Sequence, residues 1–185
     1  MDQRGLVIYG SVYGTTRQYA QAIAGRFDLP CRPAAEVGQR ELDGCRLLIF
    51  GGGLYAGGVA GLRRLLRMLR RPEEKDIVLF TVGIADPAVP ENAAHIRRSL
   101  ERQVPAGILE RARVFHLRGG IDYGALGPVH RAMMAMLCRQ LRKKDPAQRS
   151  SEDQAVLDTY GKAISFFSLD SLGPLEETVA ALLAR

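Results

Sequence analysis

The chain has 185 residues, of which 46% are hydrophobic and 25% charged, and its formal net charge is +6 at pH 7. These values are typical of one compact globular unit, so we predict a single domain over residues 1–185. No apolar run approaches the roughly 20 residues that a membrane span requires. Because residues 1–4 lead directly into the first apolar run, we expect a cytoplasmic protein without a signal peptide.

Apolar runs of strand length alternate with helical patterns along the chain. The runs at residues 6–9, 47–50, 77–82 and 114–117 are apolar without alternation, which is typical of strands buried on both faces. Residues 29–37 contain prolines and predict a weaker edge strand. Helical patterns cover residues 18–27, 59–69, 91–103, 128–144, 151–167 and 175–183. The alternation predicts an α/β fold, a doubly wound five-stranded parallel sheet with a helical insertion before the C-terminal helix.

The first apolar run breaks into a loop, residues 10–16, that is rich in glycine and hydroxyl side chains and precedes a helical pattern. A helix N-terminus presents free backbone N–H groups and the positive end of the helix dipole, and Ser and Thr add further donors. This loop therefore suits a phosphate group. The alternative interpretation is an ordinary turn in which Ser or Thr caps the helix.

The loop Ser11-Val12-Tyr13-Gly14-Thr15-Thr16 resembles the phosphate loop of flavodoxins, usually written Thr/Ser-x-Thr-Gly-x-Thr. Ser11, Gly14 and Thr16 match in place, whereas Tyr13 stands where a threonine is usual. The resemblance implies a flavodoxin-like domain that binds FMN, with its phosphate on residues 11–16. The basic charge departs from the family, whose members tend to be acidic, and this difference bears on the choice of partner.

Glycine-rich stretches also follow the later strands, at residues 51–58, 83–90 and 119–124. In a doubly wound sheet such loops converge on one crevice at the carboxyl ends of the strands, and glycine lets backbone approach a flat ligand closely. The resemblance implies that these loops hold the flavin ring, with Tyr55 stacking on it and Tyr123 near it. The additional cofactor-binding residues are then Gly52, Gly53, Leu54, Tyr55, Ala56, Gly57, Val82, Gly83, Ile84 and Tyr123.

A competing motif lies at residues 51–56, which fit G-x-G-x-x-A, the fingerprint of dinucleotide-binding proteins. That fingerprint normally follows the first strand and needs an acidic residue at the end of the next strand, where residues 80–82 offer none. It would also leave the hydroxyl-rich loop without a role. The sequence therefore favours FMN over a dinucleotide.

Within the flavodoxin group, residues 14–17 and 119–137 resemble in layout the menaquinone-dependent protoporphyrinogen dehydrogenase family and uncharacterised flavodoxin-domain relatives. The helical pattern at residues 128–144 predicts either a helix packed on its own domain or a methionine surface for an apolar substrate or quinone, with arginines facing acidic lipid or substrate carboxylates. A broad apolar arc of this helix contains Val129, Met133, Met134, Met136, Leu137, Cys138 and Leu141, opposite Arg131, Arg139, Arg142 and Lys143.

Neither the histidines nor the cysteines form a recognisable catalytic or metal-ligand pattern, so we predict no metal and reduced, structural cysteines. These residues are His95, His116, His130, Cys31, Cys45 and Cys138. Electron transfer through a bound flavin needs no catalytic side chain, because the flavin ring carries the electrons. Two hypotheses follow: an electron-transfer protein or general oxidoreductase with acidic redox partners, and an enzyme that oxidises a tetrapyrrole or reduces a quinone at the membrane surface. Nucleic acid is disfavoured because no stacking aromatics are interleaved with the arginines.

Overall fold

The computed structural model describes residues 3–55, 58–149 and 151–185. Its central sheet consists of β1 (Gln3–Gly10), β2 (Cys31–Pro33), β3 (Cys45–Tyr55), β4 (Gly58–Val59), β5 (Asp76–Gly83) and β6 (Arg113–Arg118). The order is β2-β1-β3-β5-β6 with every pair parallel, and the short β4 pairs antiparallel with β3. The predicted α/β fold with a five-stranded parallel sheet is thereby confirmed, with β4 as an addition.

The helices lie on both faces of this sheet and in a segment that follows β6. They are α1 (Thr15–Phe27), α2 (Gln39–Asp43), α3 (Leu62–Met68), α4 (Pro90–Glu101), α5 (Ala106–Leu109), α6 (Pro128–Lys143), α7 (Ser151–Thr159) and α8 (Gly173–Leu183). A second sheet pairs β7 (Gly120–Asp122) antiparallel with β8 (Ala163–Ser165). We call residues 119–167, which contain β7, α6, α7 and β8, the insertion. None of the described helices is long and apolar enough to cross a bilayer.

Two apolar layers enclose the sheet, one on each face. Leu6, Val7 and Ile8 of β1 are all fully buried, because successive side chains of a strand point to opposite faces and both faces here are covered. Leu6 and Ile8 join the layer that includes residues of α2, α3, α4 and α5. Val7 joins the layer formed with α1 and α8. This double burial explains why the central strands are apolar without alternation.

The glycines at residues 51–53 lie inside β3, although the sequence predicts a loop there. The reason is steric, since a Cβ added to Gly51 would collide with the Phe80 ring and one added to Gly52 with the Val59 side chain. These two glycines therefore allow close packing within the sheet rather than close approach to a ligand. The dinucleotide fingerprint needs its glycines in a turn that opens a helix, so its structural context is missing here.

The helix predicted for residues 151–167 is also shorter than expected, because α7 ends at Thr159. Gly161 has a φ of 81°, a left-handed conformation that L side chains rarely adopt, and the chain then reverses into β8. Ile164 of β8 pairs with Ile121 of β7. The prediction of one continuous helix over this stretch was wrong, and the local signal for the break was Gly161.

Candidate functional site

A cleft opens at the carboxyl ends of β1, β3, β5 and β6, beside the point where the strand order reverses around β1. Doubly wound sheets bind their ligands at this position. The space in the cleft amounts to about 400 Å³ when the solvent at its open mouth is included. Its wall is formed by Val12, Tyr13, Thr15, Thr16, Gly53, Leu54, Val82, Gly83, Ile84, Gly119 and Gly120.

The structure brings most of the predicted cofactor-binding residues together in this wall. Gly119 and Gly120 belong to the wall but not to the predicted set, although both lie in the glycine-rich stretch that follows β6. Ser11, Gly14 and Gly52 were predicted and do not line the wall. Two further predicted positions, Ala56 and Gly57, lie outside the described residues, as does the side chain of Tyr55. Stacking of Tyr55 on a flavin therefore stays a prediction.

The first loop has the geometry expected of an anion-binding loop. Gly14 has a φ of 93°, a conformation that favours glycine, and its N–H donates to Ser11 Oγ at 3.1 Å. Helix α1 begins at the next residue, and its first turn closes where the Gln18 N–H donates to the Gly14 carbonyl at 3.1 Å. No acidic side chain lies in that turn. The first turn of α1 therefore contains no negative charge that would offset the positive end of the helix dipole at the cleft.

Two adjacent threonines at the start of α1 have different environments. The Thr15 Oγ1 lies 3.2 Å from the Gly120 N–H, which donates to it, and 3.5 Å from the Gly120 carbonyl. Thr15 therefore ties the first loop to the start of the insertion. Thr16 is only 3% exposed, and its hydroxyl has no hydrogen-bond partner among the residues that the structure describes. Thr16 lines the cleft wall, so its hydroxyl is suited to donate to a ligand there.

No residue of the cleft wall carries a formal charge. The nearest ion pair on the adjoining loops joins Arg118 to Asp86 at 3.4 Å. The Arg118 guanidinium also lies 3.7 Å from the centroid of the Phe166 ring and donates to the Ile84 carbonyl at 3.4 Å. An uncharged, largely apolar wall with a helix N-terminus at one end suits a flat ring that bears a phosphate.

The insertion packs directly against the loops of the cleft. Tyr13, which occupies the usual threonine position of the flavodoxin loop, donates from its hydroxyl to the Sδ of Met134 in α6 at 3.3 Å. Tyr13 and Ile84 both contact the apolar cluster of the insertion, whose buried members are Ile121, Tyr123 and Met134. The unusual tyrosine in the loop was the sequence signal for this contact, because a large apolar side chain there needs a surface to cover it.

Tyr123 lies within the insertion and not in the cleft wall. It is 6% exposed, and its ring contacts Tyr160 edge-on with 5.2 Å between the centroids. The Tyr123 hydroxyl is buried without a hydrogen bond of acceptable geometry to any described residue, although Thr159 is nearby. Burial raises the pKa of Tyr123 to about 12, with the neighbouring Cys138 adding to the effect. In this arrangement Tyr123 serves the packing of the insertion.

The remaining candidate groups lie away from the cleft wall. His116 Nδ1 is 2.8 Å from the hydroxyl of the buried Thr81, and burial, with a smaller contribution from Arg97, lowers the pKa of His116. The cysteines Cys31, Cys45 and Cys138 are free thiols, and burial raises the pKa of each. No cluster of His, Cys, Asp or Glu among the described residues could hold a metal ion.

Several solved structures of flavoproteins are similar to this chain at low identity. A flavodoxin from the domain Archaea is 15% identical with a TM-score of 0.40, over 62% of this chain and 82% of its own. The Trp repressor binding protein from Bacillus subtilis is 19% identical with a TM-score of 0.43, over 76% of this chain and 99% of its own. Oxidised flavodoxin 2 from Bacillus cereus is 12% identical with a TM-score of 0.39, over 84% and 93%.

The family comparison is more decisive than these structural likenesses. No curated protein matches the chain. The model of the flavodoxin domain family matches residues 6–148, a range that includes the loop at residues 11–16, most of the central sheet and helix α6. Such a domain implies a flavin cofactor, and the uncharged cleft with its helix N-terminus fits one. The chain therefore belongs to the flavodoxin domain family.

Proposed function

We propose that the protein binds FMN noncovalently in this cleft and acts in electron transfer or as a flavin-dependent oxidoreductase. The observation that carries the proposal is the N-terminus of α1, with Thr16 in the wall, at one end of a cleft whose described residues are uncharged, at the switch point of the sheet. A single loop of this kind suits the one terminal phosphate of FMN. The β3 glycines, which lie inside a strand, offer no second nucleotide loop.

The residues of the chain bind and orient the cofactor rather than react with it. Ser11 holds the loop in shape through its bond from the Gly14 N–H, so the N–H groups of the first turn of α1 and the Thr16 hydroxyl can donate to the phosphate. Leu54, Ile84 and Val82 exclude water from the wall. When bound, the isoalloxazine ring carries the electrons, and the protein sets its position and surroundings.

The test compares ligands that differ in one feature each. Isothermal titration of the purified protein with FMN, riboflavin, FAD and NAD should give the tightest binding for FMN. Riboflavin lacks the phosphate and should bind at least about tenfold more weakly, since a charge-assisted hydrogen bond is worth roughly 1.5–3 kcal/mol. Equal affinity for riboflavin and FMN would place the phosphate outside this loop, and a protein that ignores FMN would overturn the proposal.

A second candidate is a quinone-dependent protoporphyrinogen IX dehydrogenase of heme biosynthesis. One observation favours an enzyme with an apolar substrate over a simple carrier: α6 is bonded to the phosphate loop through Tyr13 and Met134 yet leaves Met136 59% exposed. Such flexible methionines suit an apolar partner molecule. An electron carrier would instead exchange electrons with a redox partner protein, and the net charge of +6 then favours an acidic partner protein.

Turnover distinguishes the two candidates. The flavin-loaded protein would be assayed with protoporphyrinogen and a menaquinone analogue, and in parallel with an acidic one-electron acceptor protein. A dehydrogenase should consume porphyrinogen with the quinone, and the double variant Met133→Ala and Met136→Ala should slow that turnover without weakening FMN binding. A carrier should reduce only the acceptor protein. Porphyrinogen that remains unoxidised by a fully loaded protein would exclude the dehydrogenase.

A further inference from the structure

We propose that helix α6 docks the protein onto an anionic lipid surface. The docking surface, here called the α6 stripe, consists of Val129, Met133 and Met136, flanked by Arg139 and Lys143. This proposal concerns a surface outside the cleft and does not depend on which cofactor the cleft binds.

The α6 stripe is an apolar face that is exposed to a large extent. Val129, Met133 and Met136 are 70%, 38% and 59% exposed, and their spacing of four and three residues aligns them along one side of the helix. The inward side of α6 is a different face, on which Met134 and Cys138 are buried. Helix α6 is therefore apolar on two sides, and only one of them contributes to the packing of the insertion. Contiguous exposed apolar side chains of this kind mark interaction sites.

The charges beside the stripe have one sign. Helix α6 contains no Asp or Glu. Arg139 lies three residues after Met136, and Lys143 lies four residues after Arg139, so both project along the edge of the stripe. Other basic groups nearby are engaged: Arg131 donates to two backbone carbonyls at 3.2 Å, and Lys144 pairs with an aspartate at 2.7 Å. Among the described residues, Arg139 and Lys143 have no ion-pair partner.

This combination suits a lipid surface better than the other occupants. A second copy of the chain could cover the three apolar side chains, but it would leave Arg139 and Lys143 without an opposite charge from α6, which contains no Asp or Glu. The stripe is one helix wide and contains no aromatic ring, whereas the energetic centres of protein interfaces are enriched in Trp, Tyr and Arg. A helix with an apolar side and a basic flank lies flat in the headgroup region, and anionic headgroups attract its lysines and arginines.

The test is cosedimentation of the full chain, without added flavin, with vesicles of phosphatidylcholine alone or mixed with phosphatidylglycerol. We expect binding to the anionic vesicles only, weakening at least tenfold between low and high salt. Val129→Gln with Met136→Gln should reduce binding at least tenfold, whereas Leu169→Gln, at a 55% exposed leucine next to α8, should not. Circular dichroism and thermal unfolding verify that each variant is folded.

The charges are tested with a matched pair of double variants. Arg139→Gln with Lys143→Gln should weaken binding about 25-fold, since each basic group near an anionic surface is worth roughly fivefold. Arg67→Gln with Arg70→Gln removes the same charge from exposed positions on and just after α3 and should change binding less than twofold. Equal losses in the two pairs, unchanged binding of the glutamine stripe variant, or no binding to anionic vesicles would each overturn the proposal. Binding to polyglutamate but not to vesicles would assign the surface to acidic proteins and overturn it too.

Discussion

The central sheet and the insertion are stabilised in different ways. The strands of the sheet are covered on both faces by layers in which β1, β3 and β5 contribute fully buried side chains. The insertion has one small cluster, and part of its cover, Tyr13 and Ile84, comes from the loops of the cleft. It also contains the buried, unpartnered Tyr123 hydroxyl. The buried residues of the sheet are thus covered from both faces, whereas the insertion takes part of its cover from the loops of the cleft.

The largest effect should come from the core of the sheet. Phe50 of β3 is 1% exposed and packs in the α3 and α4 layer, so Phe50→Ala should lower the free energy of unfolding by about 3–5 kcal/mol. Urea unfolding followed by circular dichroism measures this. Met136→Ala, an apolar truncation on the exposed side of α6, is the control and should cost less than about 0.5 kcal/mol. Similar losses in the two variants would contradict the distinction between the regions.

The next effect concerns the loop where the two regions meet. Thr16→Ala should weaken FMN about ten- to a hundredfold, because a hydrogen bond to a charged group is worth roughly 1.5–3 kcal/mol. Thr15→Ala is the matched control: its hydroxyl already bonds to Gly120, so its loss should affect FMN less than tenfold. Fluorescence titration of FMN measures both. If Thr15→Ala were the more damaging variant, the roles assigned to the two threonines would be exchanged.

A smaller effect should appear in the insertion alone. Tyr13→Phe removes the hydrogen bond to Met134, worth about 0.5–1.5 kcal/mol, while it keeps the ring. Hydrogen exchange of amides in α6 should become about two- to tenfold faster, with β1 and β3 unchanged. Tyr9→Phe serves as the control, because Tyr9 packs in the layer that α1 and α8 form on the sheet. Uniform acceleration across the chain would show that the insertion and the sheet open together.

The last effect is a pH dependence that vanishes below about pH 10. Tyrosine in the unfolded chain ionises near pH 10, whereas Tyr123 in the folded protein has a pKa of about 12. As the pH rises from about 10 to 12, the unfolded state loses a proton that the folded state keeps, so stability falls across that window; below it, the contribution is fully present. Urea unfolding at several pH values should show a steeper decline for the parent than for Tyr123→Phe. Parallel curves would mean that the hydroxyl is solvated.

The sheet was predictable from sequence because its physical causes are local. A run such as Leu6-Val7-Ile8 must be apolar at every position to be buried on both faces, and that pattern is visible without a structure. The loop from Ser11 to Thr16 was predictable for a similar reason, since a helix start needs its glycine and hydroxyl residues in sequence order.

The insertion was not predictable to the same extent because its causes are long-range. The helical pattern of residues 151–167 extends past the end of α7, whereas β8 exists because β7 offers it a partner across the intervening α6 and α7. Likewise, Gly51 and Gly52 predict a loop when only the sequence is known. The Phe80 and Val59 side chains that exclude a Cβ at these two positions are visible only in the structure. The predicted apolar arc of α6 includes both Met134 and Met136. The sequence alone therefore could not show that Met134 is buried and Met136 exposed.

Through its contact with Met134, Tyr13 belongs both to the loop at residues 11–16 and to the cover of α6. Thermodynamic linkage then makes the dependence reciprocal: a ligand that rigidifies the loop stabilises α6, and anything that holds α6 in place strengthens binding at the loop by the same free energy. If the cleft binds FMN and α6 docks on lipid as proposed, this contact would couple the two binding events.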